Sequence, residues 1–424
     1  MKLNFQPWSF GSRYRLLPAS IYWLFAGELV LNVINAAYTL IFNIFLKKLA
    51  YSDAQIAEFT SVRYLGVLLV AFPLGIFLRG KRMKPFLMIS AFGLPVVSVL
   101  QLAAVQAHFH SLIFVSMALW GILLMILGVC ALPFILRHSP PESQSEAISM
   151  NYSNFSLAAI LVGFSVPLLM QKITVSSDFL PEYWILNGFA LLGFLAVPCF
   201  RNIQEDEPPP VNSLSWFRWN DFAEAYDWKQ IFIALLPTTV IAIGAGLTIP
   251  FIDLFFFNVF GMDTKEFSSL GAIASLLVFG GALIIPGIKR RFGYRVAITL
   301  SQSLAVFFLV LLGASELMQP WQGAVWIAMI AYLLRQPLMN IAGPMTNELI
   351  LIYVGPKNHE LISALNSSIW SGSWFLSAIL FKEFRTAGLP YFQVLFLTAA
   401  FYTVGVIGYV FLIRRVKKIK EKEV

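Results

Sequence analysis

Long apolar runs separated by short polar segments extend along most of the chain. Residues 85–136 contain no Asp, Glu, Lys or Arg, and similar charge-free runs recur through the rest of the sequence. A helix needs about 20 mostly apolar residues to cross a bilayer, so the pattern predicts membrane-spanning helices. The predicted spans number twelve: 18–46, 54–78, 85–107, 111–136, 148–172, 181–200, 230–259, 267–288, 294–314, 322–353, 361–382 and 389–413.

The composition supports this interpretation. Of the 424 residues, 58% are hydrophobic and 12% are charged, against about 25% charged in soluble domains. Cys130 and Cys199 both lie in apolar runs and match no metal-binding or redox spacing, so we expect neither a metal nor a cofactor. The net charge of +8 would suit a nucleic-acid binder, but the basic residues cluster between apolar runs, where membrane topology explains them.

The distribution of Lys and Arg predicts the orientation of the chain. With both termini in the cytoplasm, the inner segments hold 22 of the 30 Lys and Arg residues and the outer segments hold 6. An excess of basic residues marks the cytoplasmic side of a membrane protein. We therefore expect an integral protein of a bacterial inner membrane, present as a monomer, with both ends inside.

The polar interruption in the middle of the chain predicts two halves. Residues 1–200 form a predicted N-terminal six-helix bundle, 201–229 a cytoplasmic linker, and 230–424 a C-terminal bundle with a basic tail. Residues 40–89 align weakly with 251–300, which favours an internal repeat. Within the linker, four aromatic residues at near-helical spacing make an interfacial helix a candidate: Trp216, Trp219, Phe222 and Tyr226.

Two cationic turns at matching places in the halves carry a resemblance to a known family. The second turn reads Gly-Ile-Lys-Arg-Arg-Phe-Gly-Tyr-Arg over 287–295, and the first reads Gly-Ile-Phe-Leu-Arg-Gly-Lys-Arg-Met-Lys over 75–84. Both resemble the signature of the major facilitator superfamily, although Arg79 stands where that family has an Asp. The resemblance implies an all-α membrane protein of twelve transmembrane helices in two pseudo-symmetric six-helix bundles that works by alternating access. It also implies gating roles for the basic residues of the turns, which are Arg79, Lys84, Arg290, Arg291 and Arg295.

Two polar stripes on apolar helices are the main candidates for binding and coupling. Ionisable residues within a bilayer are costly, so they usually face a cavity or a partner. Glu28, Asn32 and Asn35 share one face of the first helix, and Arg335, Gln336 and Asn340 form a similar stripe on the tenth. The resemblance implies that both helices line one central cavity. Glu28 would then bind a proton or cation, and Arg335 would bind an anionic group or compensate Glu28. Helix–helix hydrogen bonding and a permanent ion pair are the structural alternatives.

Three further charged residues are candidates for coupling or gating. Asp253 and Arg63 both lie towards the predicted outer side, where an ion pair between them would form a gate. Arg63 could instead extend towards lipid headgroups or pair with Glu58. Glu348 lies about one turn from the inner end of the tenth helix and is a candidate gate contact or loop anchor, with a direct role in carrying the solute or ion as the alternative.

These features together predict a secondary transporter and not an enzyme. The sequence has no nucleotide-binding loop and no nucleophile–base motif, so the energy for transport must come from a gradient. The expected partners are a small organic solute with an anionic group as one candidate, a proton or other coupling ion, and the lipid bilayer. An uncoupled uniporter, a lipid flippase and a transporter-like receptor are the alternatives.

Overall fold

The computed structural model describes residues 14–78, 81–173, 179–205, 227–355 and 359–422. In these residues the chain forms twelve long helical segments, and ten of them are long and apolar enough to cross a membrane. The prediction of an all-α membrane protein is confirmed, and the number of helical segments equals the twelve that were predicted. The segments are α1 Ala19–Lys48, α2 Asp53–Phe77, α3 Lys84–Gln106, α4 His110–His138, α5 Gln144–Lys172, α6 Pro181–Arg201, α7 Trp228–Phe260, α8 Thr264–Tyr294, α9 Val296–Leu317, α10 Ala324–Val354, α11 His359–Thr386 and α12 Tyr391–Lys422.

The helices form two bundles with the same internal packing. In the N-terminal half, α1 packs on α5 and α6, α2 packs on α4, and α3 packs on α4 and α6. In the C-terminal half, α7 packs on α11 and α12, α8 packs on α10, and α9 packs on α10 and α12. Each pairing recurs six helices later, so the two bundles are related by a pseudo-twofold axis.

The halves meet along two helix pairs that this axis exchanges, α2 with α11 and α5 with α8. The α5–α8 contact depends on a glycine. A Cβ atom added at Gly163 would lie 2.4 Å from the carbonyl oxygen of Ser268 and 2.6 Å from the Cβ of Ala272. Small residues allow such close approach of helices in membranes, so Gly163 sets the distance between the halves here.

Two helices are interrupted at equivalent places. A π-helical turn, Tyr38–Phe42, interrupts α1, and a 3-10 turn, Ile249–Phe251, interrupts α7 about 210 residues later. Pro250 lies within the second turn, and proline cannot donate the backbone hydrogen bond of a regular helix. Both interruptions therefore leave irregular backbone inside the bundle, where neighbouring side chains can reach it.

Consecutive helices run in opposite directions, so the loops that connect them lie alternately at the two ends of the molecule. The loops after α1, α3, α5, α7, α9 and α11 lie at one end, which we call the predicted outer face because the cytoplasmic position of the termini is itself a prediction. Arg79 and the linker segment 206–226, with its predicted interfacial helix, lie outside the described residues. The domain boundaries at 200 and 230 stay a prediction.

Candidate functional site

Glu28 is buried inside the N-terminal bundle. Its side chain is 3% exposed, and its carboxyl accepts a hydrogen bond from the side chain of Asn154 on α5. The amide of Asn154 also donates to the backbone oxygen of Phe25, at 3.2 Å. Glu28 Oε2 has no hydrogen-bond partner among the described residues. The carboxyl is thus held at the α1–α5 contact with one oxygen still available.

Asn35, in the polar stripe of α1 that includes Glu28, contacts Arg63 of α2. The Arg63 guanidinium lies 3.5 Å from Asn35 Oδ1 and 4.1 Å from the centroid of the Trp120 ring on α4. Asn32, which lies on α1 with Asn35, is half-buried. Among the ion pairs of the described residues, Arg63 is joined neither to Asp253 nor to Glu58. The structure therefore gives Arg63 an aromatic and amide environment within its own half, in place of the two ion pairs considered from the sequence.

Arg335 is buried inside the C-terminal bundle. Its side chain is 1% exposed, and Nη2 donates to the hydroxyl of Tyr402 on α12 at 3.1 Å. Nε has no partner among the described residues. The neighbouring Gln336 bonds Tyr332, and the exposed Asn340 donates to the Gln336 carbonyl at 2.9 Å. The guanidinium thus keeps donors free although it lies deep in the protein.

The structure does not join Glu28 and Arg335 in an ion pair. Each residue has its described polar partner in its own half, Asn154 for Glu28 and Tyr402 for Arg335. Each also retains one buried polar atom without a partner in the described residues.

Asp253 is another buried ionisable group, and it lies at the interruption of α7. Its side chain is 1% exposed, and Oδ1 accepts from the Leu254 backbone N–H at 2.9 Å and from the Asn43 amide at 3.1 Å. The same amide nitrogen donates to the Pro250 carbonyl at 2.7 Å. Asp253 Oδ2 has no partner among the described residues. Asn43, which the sequence reasoning missed, thus connects the two halves at this point.

A cluster around Asp53 joins the halves at the predicted outer face, and we call it the first clasp. The Asp53 carboxylate contacts Lys47 at 2.8 Å, Arg385 at 2.9 Å, the Tyr391 hydroxyl at 2.6 Å and the Asn258 amide at 3.3 Å. Lys47 belongs to the N-terminal half, whereas the other three partners belong to the C-terminal half. The sequence reasoning missed Asp53.

A second clasp lies at the pseudo-symmetric position. Glu182, at the start of α6, accepts from Lys48 at 2.5 Å and from the Thr264 hydroxyl at the start of α8, at 2.7 Å. In the first clasp the start of α2 contacts the start of α12. In the second clasp the start of α8 contacts the start of α6, and these helices are the pseudo-symmetric equivalents of α2 and α12. Both carboxylates lie in the N-terminal half and both hydroxyls in the C-terminal half.

The predicted basic gate residues lie at the opposite end of the molecule. Lys84 Nζ donates to the carbonyls of Arg201 and Ile203, at 2.7 and 2.8 Å, which ties α3 to the end of α6 in the same half. The backbone places Arg290, Arg291 and Arg295 at the turn between α8 and α9, where Gly293 has a φ of 67°; their side chains are outside the described part of the chain. Glu348 is half-buried near the end of α10. Gating by these residues stays a prediction.

Residues 24–378 match the sequence model of the Major Facilitator Superfamily. No curated protein matches the sequence at a significant level.

Solved transporters share the fold at low sequence identity. A nucleoside transporter, NupG, is 14% identical with a TM-score of 0.70, and the match covers 93% of this chain and 99% of NupG. A bacterial homologue of the iron transporter ferroportin, in an inward-facing state, is 12% identical with a TM-score of 0.70, covering 93% and 98%. A D-xylose–proton symporter is 13% identical with a TM-score of 0.67, covering 93% and 95%. At these identities the likeness concerns the fold alone.

Proposed function

The chain belongs to the Major Facilitator Superfamily, and we propose that it moves a small organic solute across the membrane by alternating access, driven by protons. It is a transporter and not an enzyme. The solute and the coupling ion are the proposed part.

The buried carboxyl of Glu28 carries the proposal. An ionised side chain within a bilayer costs several kcal/mol unless a partner compensates it. The described partner of Glu28 is the neutral Asn154 amide, and Oε2 is unpaired. A proton neutralises this group. Gain and loss of that proton during a transport cycle would couple the solute to the proton gradient.

The guanidinium of Arg335 supports an anionic group on the solute. Arginine stays charged in proteins and presents several donors in a fixed plane. The described hydrogen bond of Arg335 goes to the neutral Tyr402 hydroxyl, so the positive charge has no ionic partner in the ion pairs of the described residues. A carboxylate or phosphate on the solute would supply one.

The test is proton-driven flux in proteoliposomes. Candidate solutes would be added outside vesicles that contain a pH-sensitive dye, beginning with small carboxylates and phosphates chosen for Arg335. Nucleosides and xylose would follow, because two structural neighbours are a nucleoside transporter and a xylose–proton symporter. A solute that moves protons would then be used with Glu28→Gln, which keeps the shape and removes the titratable charge. We expect this variant to lose accumulation driven by a pH gradient and to keep exchange of solute across the membrane.

Glu142→Gln is the matched control, because Glu142 is exposed in the loop between α4 and α5. Full accumulation by Glu28→Gln would place the proton site elsewhere. Flux that does not respond to pH in the unmodified protein would favour the uniporter or flippase, and binding without flux would favour the receptor.

A further inference from the structure

The two interrupted helices meet each other across the boundary between the halves. Asn43 directly follows the π-helical turn of α1, and Asp253 follows the 3-10 turn of α7. The two residues are 210 positions apart, close to the offset of the internal repeat. The contact therefore joins equivalent points of the two bundles, where the backbone of each helix is irregular.

At this contact, oxygen atoms converge on one point. The Asn43 amide nitrogen lies 2.7 Å from the Pro250 carbonyl oxygen and 3.1 Å from Asp253 Oδ1. In this arrangement the amide N–H groups supply the positive end of a dipole to both oxygens. The Pro250 carbonyl oxygen and Asp253 Oδ1 thus share one positively polarised group and lie close enough together to share a cation. Asp253 Oδ2, buried and without a partner among the described residues, adds a further unsatisfied oxygen beside them.

Protonation would neutralise Asp253 but would not give Oδ2 a hydrogen-bond partner, because the described residues supply none for that atom. A buried polar group without a partner is costly in either form. A metal cation can instead be shared by several oxygens at once.

The asparagine can contribute an oxygen of its own. The nitrogen and oxygen of a side-chain amide exchange places by a half-turn of the group. With Oδ1 turned inward, the three kinds of oxygen from Asn43, Pro250 and Asp253 lie side by side, and a cation placed next to them would contact all three. Carbonyl and carboxylate oxygens bind hard cations. A single formal negative charge matches a monovalent ion, whereas calcium sites use 6–8 oxygen ligands and often several carboxylates.

We propose that Asn43, the Pro250 carbonyl and Asp253 form a binding site for a monovalent alkali cation between α1 and α7. Interrupted transmembrane helices supply cation ligands in other transporter folds through their unwound carbonyls. The ligands come from both halves, so a bound cation holds α1 and α7 together near the predicted outer face. The role of the site in transport rests on the proposed function, whereas binding of the cation does not.

The experiment measures binding without solute and without a pH gradient. Thermal unfolding of the purified protein is followed in increasing NaCl or KCl, with choline chloride added to keep the ionic strength constant. A ligand that binds only the folded state stabilises it by RT ln(1 + [L]/Kd), so Tm starts to rise near Kd and then increases with the logarithm of the ligand concentration. We expect such a logarithmic rise with at least one of the two alkali cations and none with choline. Equilibrium binding of radioactive sodium, with potassium as competitor, should give one site per chain.

The variants test the ligands separately. Asp253→Asn should abolish the rise in Tm with cation concentration, and Asn43→Ala should weaken binding of the cation. Asn43→Asp keeps an oxygen ligand and adds a charge, so it should retain or strengthen binding. Asp263→Asn is the matched control, because Asp263 lies in the loop between α7 and α8 and its Oδ1 accepts only backbone N–H groups in the described contacts. This control should behave as the unmodified protein does.

Identical unfolding curves in all three salts would overturn the proposal, as would a cation-specific rise in Tm that survives in Asp253→Asn. If Asp253→Asn does not fold, weaker binding in Asn43→Ala supports the proposal and unchanged binding overturns it. The two proposals can fail separately. Proton-driven flux that needs Glu28, in a protein that binds no alkali cation, would overturn the cation site alone. Cation binding in a protein whose flux ignores pH would overturn the proton coupling alone.

Discussion

Removal of the charge at Asp53 should open the predicted outer face. In Asp53→Asn the side chain keeps its size but loses its attraction for Arg385 and its role as a charged acceptor for the Tyr391 hydroxyl, which are contacts of 2.9 and 2.6 Å between the halves. The contact with Lys47 is also lost, but Lys47 moves with Asp53 in the N-terminal half. We therefore expect the equilibrium to shift towards conformations in which the two halves are separated at this end.

The size of this shift in the conformational equilibrium follows from the two contacts between the halves that Asp53→Asn weakens. A hydrogen bond to a charged group contributes about 1.5 kcal/mol or more, which applies to Tyr391. Arg385 is 19% exposed, so water screens its ion pair, and it contributes roughly 0.5–1 kcal/mol. The sum is about 2 kcal/mol, or about a 30-fold change in the ratio of the two conformations. Asp53→Glu keeps the charge and should shift the ratio much less.

The assay is the distance between two spin labels across the predicted outer face. Suitable positions are Ser111, at the start of α4, and Ala387, after the end of α11, because both are exposed and lie in opposite halves. Cys199 would be replaced first, whereas Cys130 is fully buried and out of reach of the label. We expect a longer-distance population in Asp53→Asn. A distance distribution equal to that of the unmodified protein would refute the assignment of this cluster as a clasp.

Three other outcomes follow from the fold. Gly163→Ala should lower Tm, because the new Cβ would lie 2.4 Å from a backbone oxygen of α8, and overpacking of this kind costs about 1–3 kcal/mol; Gly188→Ala, with open space at that position, should not. Tyr402→Phe should lower the free energy of unfolding by roughly 1.5–3 kcal/mol by removing the bond from Arg335, whereas Tyr152→Phe, at a 73% exposed residue, should leave it unchanged. Reporter fusions after Val424 and within 205–212 should both give a cytoplasmic signal, and an external signal from either would contradict the predicted topology.

The helices could be predicted from the sequence because hydropathy is a local property. The span predicted at 54–78 is Asp53–Phe77 in the structure, and the span predicted at 230–259 is Trp228–Phe260. Each of these features depends on a short run of residues, so no knowledge of the partner helices was needed.

The partners of the buried charges could not be predicted in the same way. Periodicity places Glu28 deep in α1 but does not say whether it meets Asn154 or Arg335, since that depends on how the helix is rotated within the bundle. In the sequence, nothing distinguishes Asp53 from other acidic residues at the start of a helix. Its partner Tyr391 is 338 positions away, so no local pattern connects the two.

One signal for the clasps was nevertheless present in the sequence. Only six basic residues lie on the predicted outer side, and four of them pair with buried or half-buried acids there: Lys47, Lys48, Lys382 and Arg385. Basic residues on the side where they are rare could therefore have pointed to the acids that they contact.

The division of charges between the halves makes the clasps suitable for repeated opening. Lys47 and Lys48 belong to the same half as the acids Asp53 and Glu182, so each acid keeps a cation when the halves separate. Opening therefore breaks hydroxyl contacts in both clasps and leaves neither carboxylate without a positive partner, which avoids the several kcal/mol that an unpaired buried charge costs. The two clasps differ in one respect, because only the first includes an arginine from the opposite half. Glu182→Gln should therefore lengthen the distance between labels on the two halves less than Asp53→Asn does, and an equal or larger effect would contradict this account of where the closing energy lies.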